Sequence, residues 1–162
     1  MTGTVRLRRS RPEDLAYVTT LERREDNRDF IGQWTDEEYL AAMARRENRE
    51  HWIVERDGRP AGYLIAYDTR DIDGGVYVKR ILVDVKDQGT GKAALQAFIE
   101  LVRNRPAARF VWLIVRDFNE RAQAVYAGLG FSRYEPSEEE ARRLKASAEA
   151  PVARSFRMRL DF

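Results

Sequence analysis

The sequence predicts one mixed α/β domain over residues 1–162, built on a central, mostly antiparallel sheet, and three observations point there. Strand-like runs and amphipathic helix patterns follow one another with no linker or repeat between them, at a length usual for one domain. Phe110 to Val115 is almost continuously apolar, the pattern of a strand buried on both faces of a sheet. A run rich in β-branched residues, Val76 to Val85, leads directly into a glycine-rich turn and a helix.

Val5-Arg6-Leu7-Arg8 alternates apolar and polar, a short half-buried strand. Ser10 ahead of Pro12-Glu13-Asp14 combines a capping hydroxyl, a first-turn proline and acids against the helix dipole. Leu15, Val18 and Leu21 give that helix its apolar side; it ends in Glu22-Arg23-Arg24-Glu25-Asp26 and a loop holding Phe30, Ile31, Gly32 and Trp34. Thr35 and Glu38 read as a capping box, with Tyr39, Leu40 and Met43 facing inward. His51 to Glu55 and Pro60 to Tyr67 are strands joined by an Asp57-Gly58 hairpin turn, and a polar loop from Asp68 to Gly75 follows. The helix after the glycine-rich turn points Ala94, Leu95, Phe98, Leu101 and Val102 at the core. Asn119 opens a further helix with Ala122, Val125, Tyr126 and Leu129 at helical spacing; Gly130 ends it and Phe131 begins a strand. Ser137 to about Ala148 reads as a charged helix, and the last strand, Arg154 to Leu160, alternates arginines with Phe156, Met158 and Leu160.

Composition removes several function classes. Lys and Arg number 29 against 27 Asp and Glu, a net charge of +2, which argues against a nucleic-acid binder. Arg6, Arg8, Arg9, Arg154, Arg157 and Arg159 would carry such a role, but they are too dispersed to make a stripe. With no cysteine there is no disulfide framework, thiolate metal site or cysteine nucleophile, and with one histidine, His51, no multi-histidine metal site. No apolar run approaches the ~20 residues of a membrane span, and Met1 to Arg11 shows no signal-peptide pattern. The expectation is a cytoplasmic protein without metal. His51 reads as a structural strand residue.

The strongest local signal is Gln88-Gly89-Thr90-Gly91-Lys92-Ala93 at a strand-to-helix junction. A helix start exposes unpaired N–H groups and the positive end of its dipole, and glycines let a phosphate approach that backbone. A glycine-relieved turn without a ligand is the competing reading. A P-loop is ruled against because Ala93 follows Lys92 where Ser or Thr belongs. A dinucleotide fingerprint fits no better, since its final glycine is missing and it belongs after the first strand.

Gln88-x-x-Gly91-x-Ala93, four residues after Ile81-Leu82-Val83, resembles the Q/R-x-x-G-x-G/A signature of the GNAT superfamily of acyl-CoA-dependent N-acetyltransferases. Asn119-x-x-Ala122-x-x-x-Tyr126-x-x-x-Gly130-Phe131 resembles that family's second recurrent segment. The resemblance implies a six- to seven-stranded sheet splayed between its two middle strands and flanked by four to five helices. It implies acetyl-CoA as co-substrate, with no metal. Backbone groups of Leu82 and Val83 would hold the pantetheine arm, amides of Gln88, Gly89, Thr90, Gly91, Lys92 and Ala93 the pyrophosphate, and Asn119 the arm near the splay. Tyr126 would protonate the leaving thiolate, although its periodicity alone places it in the core.

The family's strand glutamate is missing here, because the strand reads Tyr77-Val78-Lys79-Arg80-Ile81-Leu82. Glu22, Glu25, Asp26, Asp29 and Asp117 are candidate bases, beside a water chain, and a strand amide such as that of Val83 is a candidate oxyanion donor. Arg28, Phe30, Ile31 and Trp34, near Glu25, Asp26 and Asp29, would form an acceptor wall suited to a cationic amine. The expected function is acetyl transfer to a primary amine of a small molecule, polyamine or protein, by direct transfer, as a monomer or homodimer. The alternative is a non-catalytic acyl-CoA-binding sensor or regulatory module.

Overall fold

The computed structural model describes residues 3–25, 27, 34–44, 49–68, 74–139, 142 and 154–162. Seven strands form one sheet: β1 (Val5–Arg9), β2 (Arg49–Arg56), β3 (Arg59–Asp68), β4 (Gly75–Val83), β5 (Phe110–Arg116), β6 (Ser132–Tyr134) and β7 (Ser155–Asp161). The helices are α1 (Leu15–Glu22), α2 (Asp36–Met43), α3 (Thr90–Arg103) and α4 (Glu120–Gly128), with a 3-10 turn at Pro12–Asp14. The predicted order of elements stands. Most of the charged helix expected from Ser137 to Ala148 lies outside the described residues.

The strand order is β1-β2-β3-β4-β5-β7-β6. Every neighbouring pair is antiparallel except β4 and β5, which run parallel and touch only at Gly75–Tyr77 against Phe110–Trp112. Beyond that short contact the two strands part, so the middle of the sheet opens as a fork. This is the expected splay.

The two faces differ in chemistry. Leu64, Val76, Val78, Val111, Leu113, Val115 and Met158 meet α3 in an apolar core that also takes Phe131 and part of α4. Within α3 the buried stripe is Ala94, Leu95, Phe98, Ile99 and Val102. Each large side chain there contributes about 1.5–3 kcal/mol of transfer free energy. Leu101, expected inward, is 41% exposed and Ile99 takes its place: positions 94, 95, 98, 99 and 102 form the buried stripe, and position 101 falls just outside its edge. By the same geometry α2 buries Tyr39, Ala42 and Met43 and leaves Leu40 exposed. On the opposite face α1 and α2 pack on Ile53, Tyr63, Ile65 and Leu82.

Two local expectations change. Ser10 is no helix cap: its hydroxyl lies 2.6 Å from His51 Nδ1, both residues buried, while Asp14 accepts from the Arg11 backbone N–H at 2.8 Å. β4 stops at Val83, two residues short of the expected Val85.

Candidate active site at the fork of the sheet

One arm of the fork is β4. Leu82 and Val83 pair with Tyr63 and Gly62 of β3 on one edge. The other edge has no β5 partner beyond Tyr77, which leaves a backbone ladder facing the gap. Such an edge accepts an extended chain as an added strand. In β4, Arg80 opposes Ile65 and Val78 opposes Ala66, so Lys79 is the extra residue of a β-bulge at the fork. The bulge turns Lys79 and Arg80 toward the α1–α2 face. Sequence reading missed it, although two consecutive charged residues in an apolar strand already break the period-two pattern.

The predicted glycine turn sits at the end of this arm. Gly89 caps α3 with φ 74 and has no side chain to satisfy the helix N–H groups, and the helical ladder begins with Ala93 N–H donating to Gly89 O at 3.0 Å. A Cβ built on Gly89 would meet nothing within 4 Å, and one on Gly91 only Val83 Cγ1 at 3.8 Å. The Cβ directions of both glycines are therefore open, so no side chain blocks a close approach to the turn. Gln88 and Thr90 turn their side chains to Arg56: its Nη1 donates to Gln88 Oε1 at 2.6 Å and to Thr90 Oγ1 at 3.1 Å. Arg56, from the end of β2, is a cation beside the turn that no local pattern announced. Lys92 is exposed on the first turn of α3. From below, α1 is tied to the turn by Arg24 Nη1 donating to Asp84 O at 2.6 Å and Tyr17 hydroxyl to Asp84 at 3.5 Å.

The other arm is β5 and the start of α4. Asn119 is the N-cap of α4, its Oδ1 accepting from Ala122 N–H at 3.1 Å. Arg121 in the next turn pairs with Asp87 of the glycine turn, so the two arms meet at the mouth of the fork. Tyr126 is partly buried against the α3-side core, its ring 6.0 Å from that of Phe131. Burial raises the pKa of its phenol, which keeps the proton on at neutral pH.

On the α1–α2 face the acids separate. Glu22, 4% exposed, accepts from Arg80 Nη1 at 2.8 Å; that nitrogen also lies 3.3 Å from the Tyr39 hydroxyl and 3.5 Å from that of Tyr63. His51 stacks on Tyr63 at 5.1 Å, and burial pushes its pKa down to about 3, so it is neutral. Glu25 is exposed, and Asp117, also exposed, lies 3.5 Å from Arg154. Asp26, Arg28, Asp29, Phe30 and Ile31 lie outside the described residues. Trp34 is described, and its ring is faced by Arg49 at 5.4 Å and Lys79 at 5.8 Å. Among the described residues no group of metal-ligating side chains converges, and no helix is long and apolar enough to cross a membrane.

Comparison with solved structures returns the same architecture. The chain is similar to aminoglycoside acetyltransferase AAC(6')-Ib in complex with coenzyme A and kanamycin, with a TM-score of 0.78 at 20% identity, covering 98% of this chain and 95% of that one. It is similar to PaiA N-acetyltransferase from Thermoplasma acidophilum in complex with coenzyme A (TM-score 0.73, 13% identity, 98% and 99% covered). It is also similar to ribosomal-protein-S18-alanine N-acetyltransferase from Escherichia coli (TM-score 0.68, 21% identity, 98% and 94% covered). No curated protein matches the sequence. A model of the acetyltransferase (GNAT) family matches residues 17–131, from the first helix through both signature segments. The fork, the glycine turn and that match agree: the chain belongs to the GNAT family of acetyltransferases.

Proposed function

We propose that this chain transfers the acetyl group of acetyl-CoA to a primary amine, by direct attack in a ternary complex. The observation that carries the reading is the fork. Its β4 edge runs without a β5 partner from Val78 to Val83 and ends at helix amides with open space above Gly89. Backbone groups of Leu82 and Val83 would hold the pantetheine arm, and amides from Gln88 to Ala93 the pyrophosphate, with Arg56 adding charge beside them. Asn119 would use its side-chain N–H₂ on the arm, since its oxygen is committed to the cap.

Acetyl-CoA supplies the activated acetyl group. A neutral amine forms the new carbon–nitrogen bond as the carbon–sulfur bond breaks. Tyr126 gives its hydroxyl proton to the departing sulfur and regains one from solvent; the amine's surplus proton leaves to water. A protonated phenol is the form this role needs, and burial favours it. Glu22 is better read as the fixed counter-ion of Arg80 than as the base, since it is buried and bonded to that guanidinium. With no cysteine in the chain, an acetyl-cysteine intermediate has no residue to form on. A cytoplasmic protein acting as a monomer or homodimer completes the reading, and a cysteine-free chain suits a reducing compartment.

The test is calorimetric titration of acetyl-CoA, followed by thiol release with an amine panel, on wild type and Tyr126→Phe. Unchanged binding with turnover lowered about 100-fold or more supports the acid role. Full turnover in Tyr126→Phe makes the residue core packing, and no binding to the folded protein at millimolar acetyl-CoA removes the reading. One observation favours a second reading, a non-catalytic acyl-CoA-binding module: β4 carries Arg80 and no acid. Saturable binding with no turnover of any amine would select it.

A further inference from the structure

With the cofactor's pyrophosphate on the α3 terminus, as in the reading above, the face opposite α3 is left for the acceptor, and around the fork that face is built of aromatic rings and arginines. Tyr77 and Trp112 are the last paired residues of β4 and β5, so they mark the apex of the fork. Their rings stack at 4.1 Å with 15° between planes, and Tyr67 continues the stack at 5.8 Å from Tyr77. This aromatic cluster is separate from the α3-side core.

Arg157 of β7 lies beside it. Its backbone is in register with Ile114, two residues past the apex, where β5 has already left β4. Its guanidinium stands over the Trp112 ring at 5.3 Å. Among the described residues Arg157 Nη1 is buried with no hydrogen-bond partner. The residue as a whole keeps partial exposure. A buried N–H of a charged group is costly to leave without a hydrogen-bond acceptor, so an arriving one would be held there.

Among the described residues the surroundings favour an anion as that partner. Lys79 and Arg80 stand on the opposite arm of the fork, and Arg49 and Lys79 already face the Trp34 ring that a cationic amine would have used. Two described acids on this face have cationic partners, Asp161 with Arg159 at 2.7 Å and Glu22 with Arg80 at 2.8 Å.

We infer that Arg157 is a specificity-determining residue that binds an anionic oxygen group, carboxylate or phosphate, carried by the acceptor beside its amine. The preferred acceptor is then an amino acid or amino phosphate, and polycations such as aminoglycosides and polyamines are poor acceptors. This rests on the acetyltransferase reading above. A guanidinium holds such a group by paired, charge-assisted hydrogen bonds, while the amine stays uncharged at the fork.

The experiment compares matched acceptors that differ by the anion alone: tyrosine with tyramine, lysine with cadaverine, phosphoethanolamine with ethanolamine. Spermidine and kanamycin are the polycations. Thiol release is followed directly, since a protein with no cysteine gives no background. In parallel, N-acetyltyrosine and N-acetyltyramine are titrated into the coenzyme A complex, which reads the same preference without turnover. The anionic member of at least one pair is expected to lead by roughly 10- to 100-fold in kcat/KM or in affinity, the span of one charge-assisted pair. Arg157→Gln should bring that ratio to within about 3-fold of unity and leave acetyl-CoA binding unchanged; Arg157→Lys should restore part of it. The tyrosine–tyramine and phosphoethanolamine–ethanolamine pairs tell carboxylate from phosphate. Absence of a preference in both readouts, a lead by the polycations, or a preference that survives Arg157→Gln overturns the proposal. Failure of acetyl-CoA to bind would instead overturn the acetyltransferase reading.

Discussion

Gly89→Ala separates a ligand site from a mere turn, and its two effects can be worked out independently. Gly89 sits at φ 74, in the left-handed region, where an alanine costs about 1–2 kcal/mol of backbone strain. The added methyl would meet nothing within 4 Å, so no packing clash adds to that cost. For a chain of this size about 1 kcal/mol lowers Tm by roughly 2–4 °C, so a drop of about 2–8 °C is expected. If the open space is where a pyrophosphate approaches the helix amides, the same methyl occupies the approach. Losing or lengthening one charge-assisted hydrogen bond removes about 1.5–3 kcal/mol, a 10- to 100-fold rise in Kd for acetyl-CoA. Gly58→Ala is the control: Gly58 has φ 80 and also an open Cβ position, but it lies in the β2–β3 hairpin turn. It should reproduce the Tm drop and leave Kd alone. Calorimetric titration and thermal unfolding on the same preparations read both quantities. Equal Tm losses with equal Kd values would refute the placement of the cofactor on this turn.

Two further outcomes follow from local chemistry. Asn119→Ala should cost about 1 kcal/mol through loss of the cap on Ala122 N–H, while Asn119→Asp keeps that cap. Weaker acetyl-CoA binding by Asn119→Asp at unchanged stability would show that the side-chain N–H₂ serves the cofactor; equal binding would make the residue a cap alone. His51 has a folded pKa of about 3 against about 6.5 unfolded, so its contribution is complete above pH ~6.5. As pH falls from there toward 3 the unfolded chain takes up a proton that the folded chain refuses, and stability drops by up to about 1.4 kcal/mol per pH unit. Denaturant titrations at pH 7.5, 6 and 5 should show this slope reduced in His51→Gln, and equal slopes would refute it.

What was legible in the sequence was local. The capping box at Thr35 and Glu38 forms as expected, with Glu38 N–H donating to Thr35 Oγ1 at 3.2 Å and Thr35 N–H to Glu38 Oε1 at 3.2 Å. The glycine turn, the Asn119 cap and the order of strands were likewise set by neighbours a few residues apart. What failed depended on distant partners. Ser10 has good capping chemistry, but His51, 41 residues away, takes its hydroxyl. Arg80 stands where an acid was looked for, and Glu22, 58 residues away, is drawn in to neutralise it. Arg56 reaches Thr90 across 34 residues. Periodicity says which side of an element is buried; it does not say what chemistry arrives from another element.

The two faces of the sheet show why that mattered most on the α1–α2 side. The α3 face is largely an apolar core, with one buried carboxylate, Glu50, held by Arg105 at 2.7 Å and by Trp52 Nε1 at 3.1 Å, so most of its composition follows from hydrophobic pattern. The α1–α2 face gathers the buried Ser10, His51, Tyr63, Tyr39 and Glu22 around the partly buried Arg80. The array fixes Arg80 and the β4 bulge next to the fork. The glycine turn at the end of β4 is contiguous in sequence, which is why a short motif identifies it. The α1–α2 side is held by long-range charge pairing, Arg80 with Glu22 across 58 residues, which no local pattern announces.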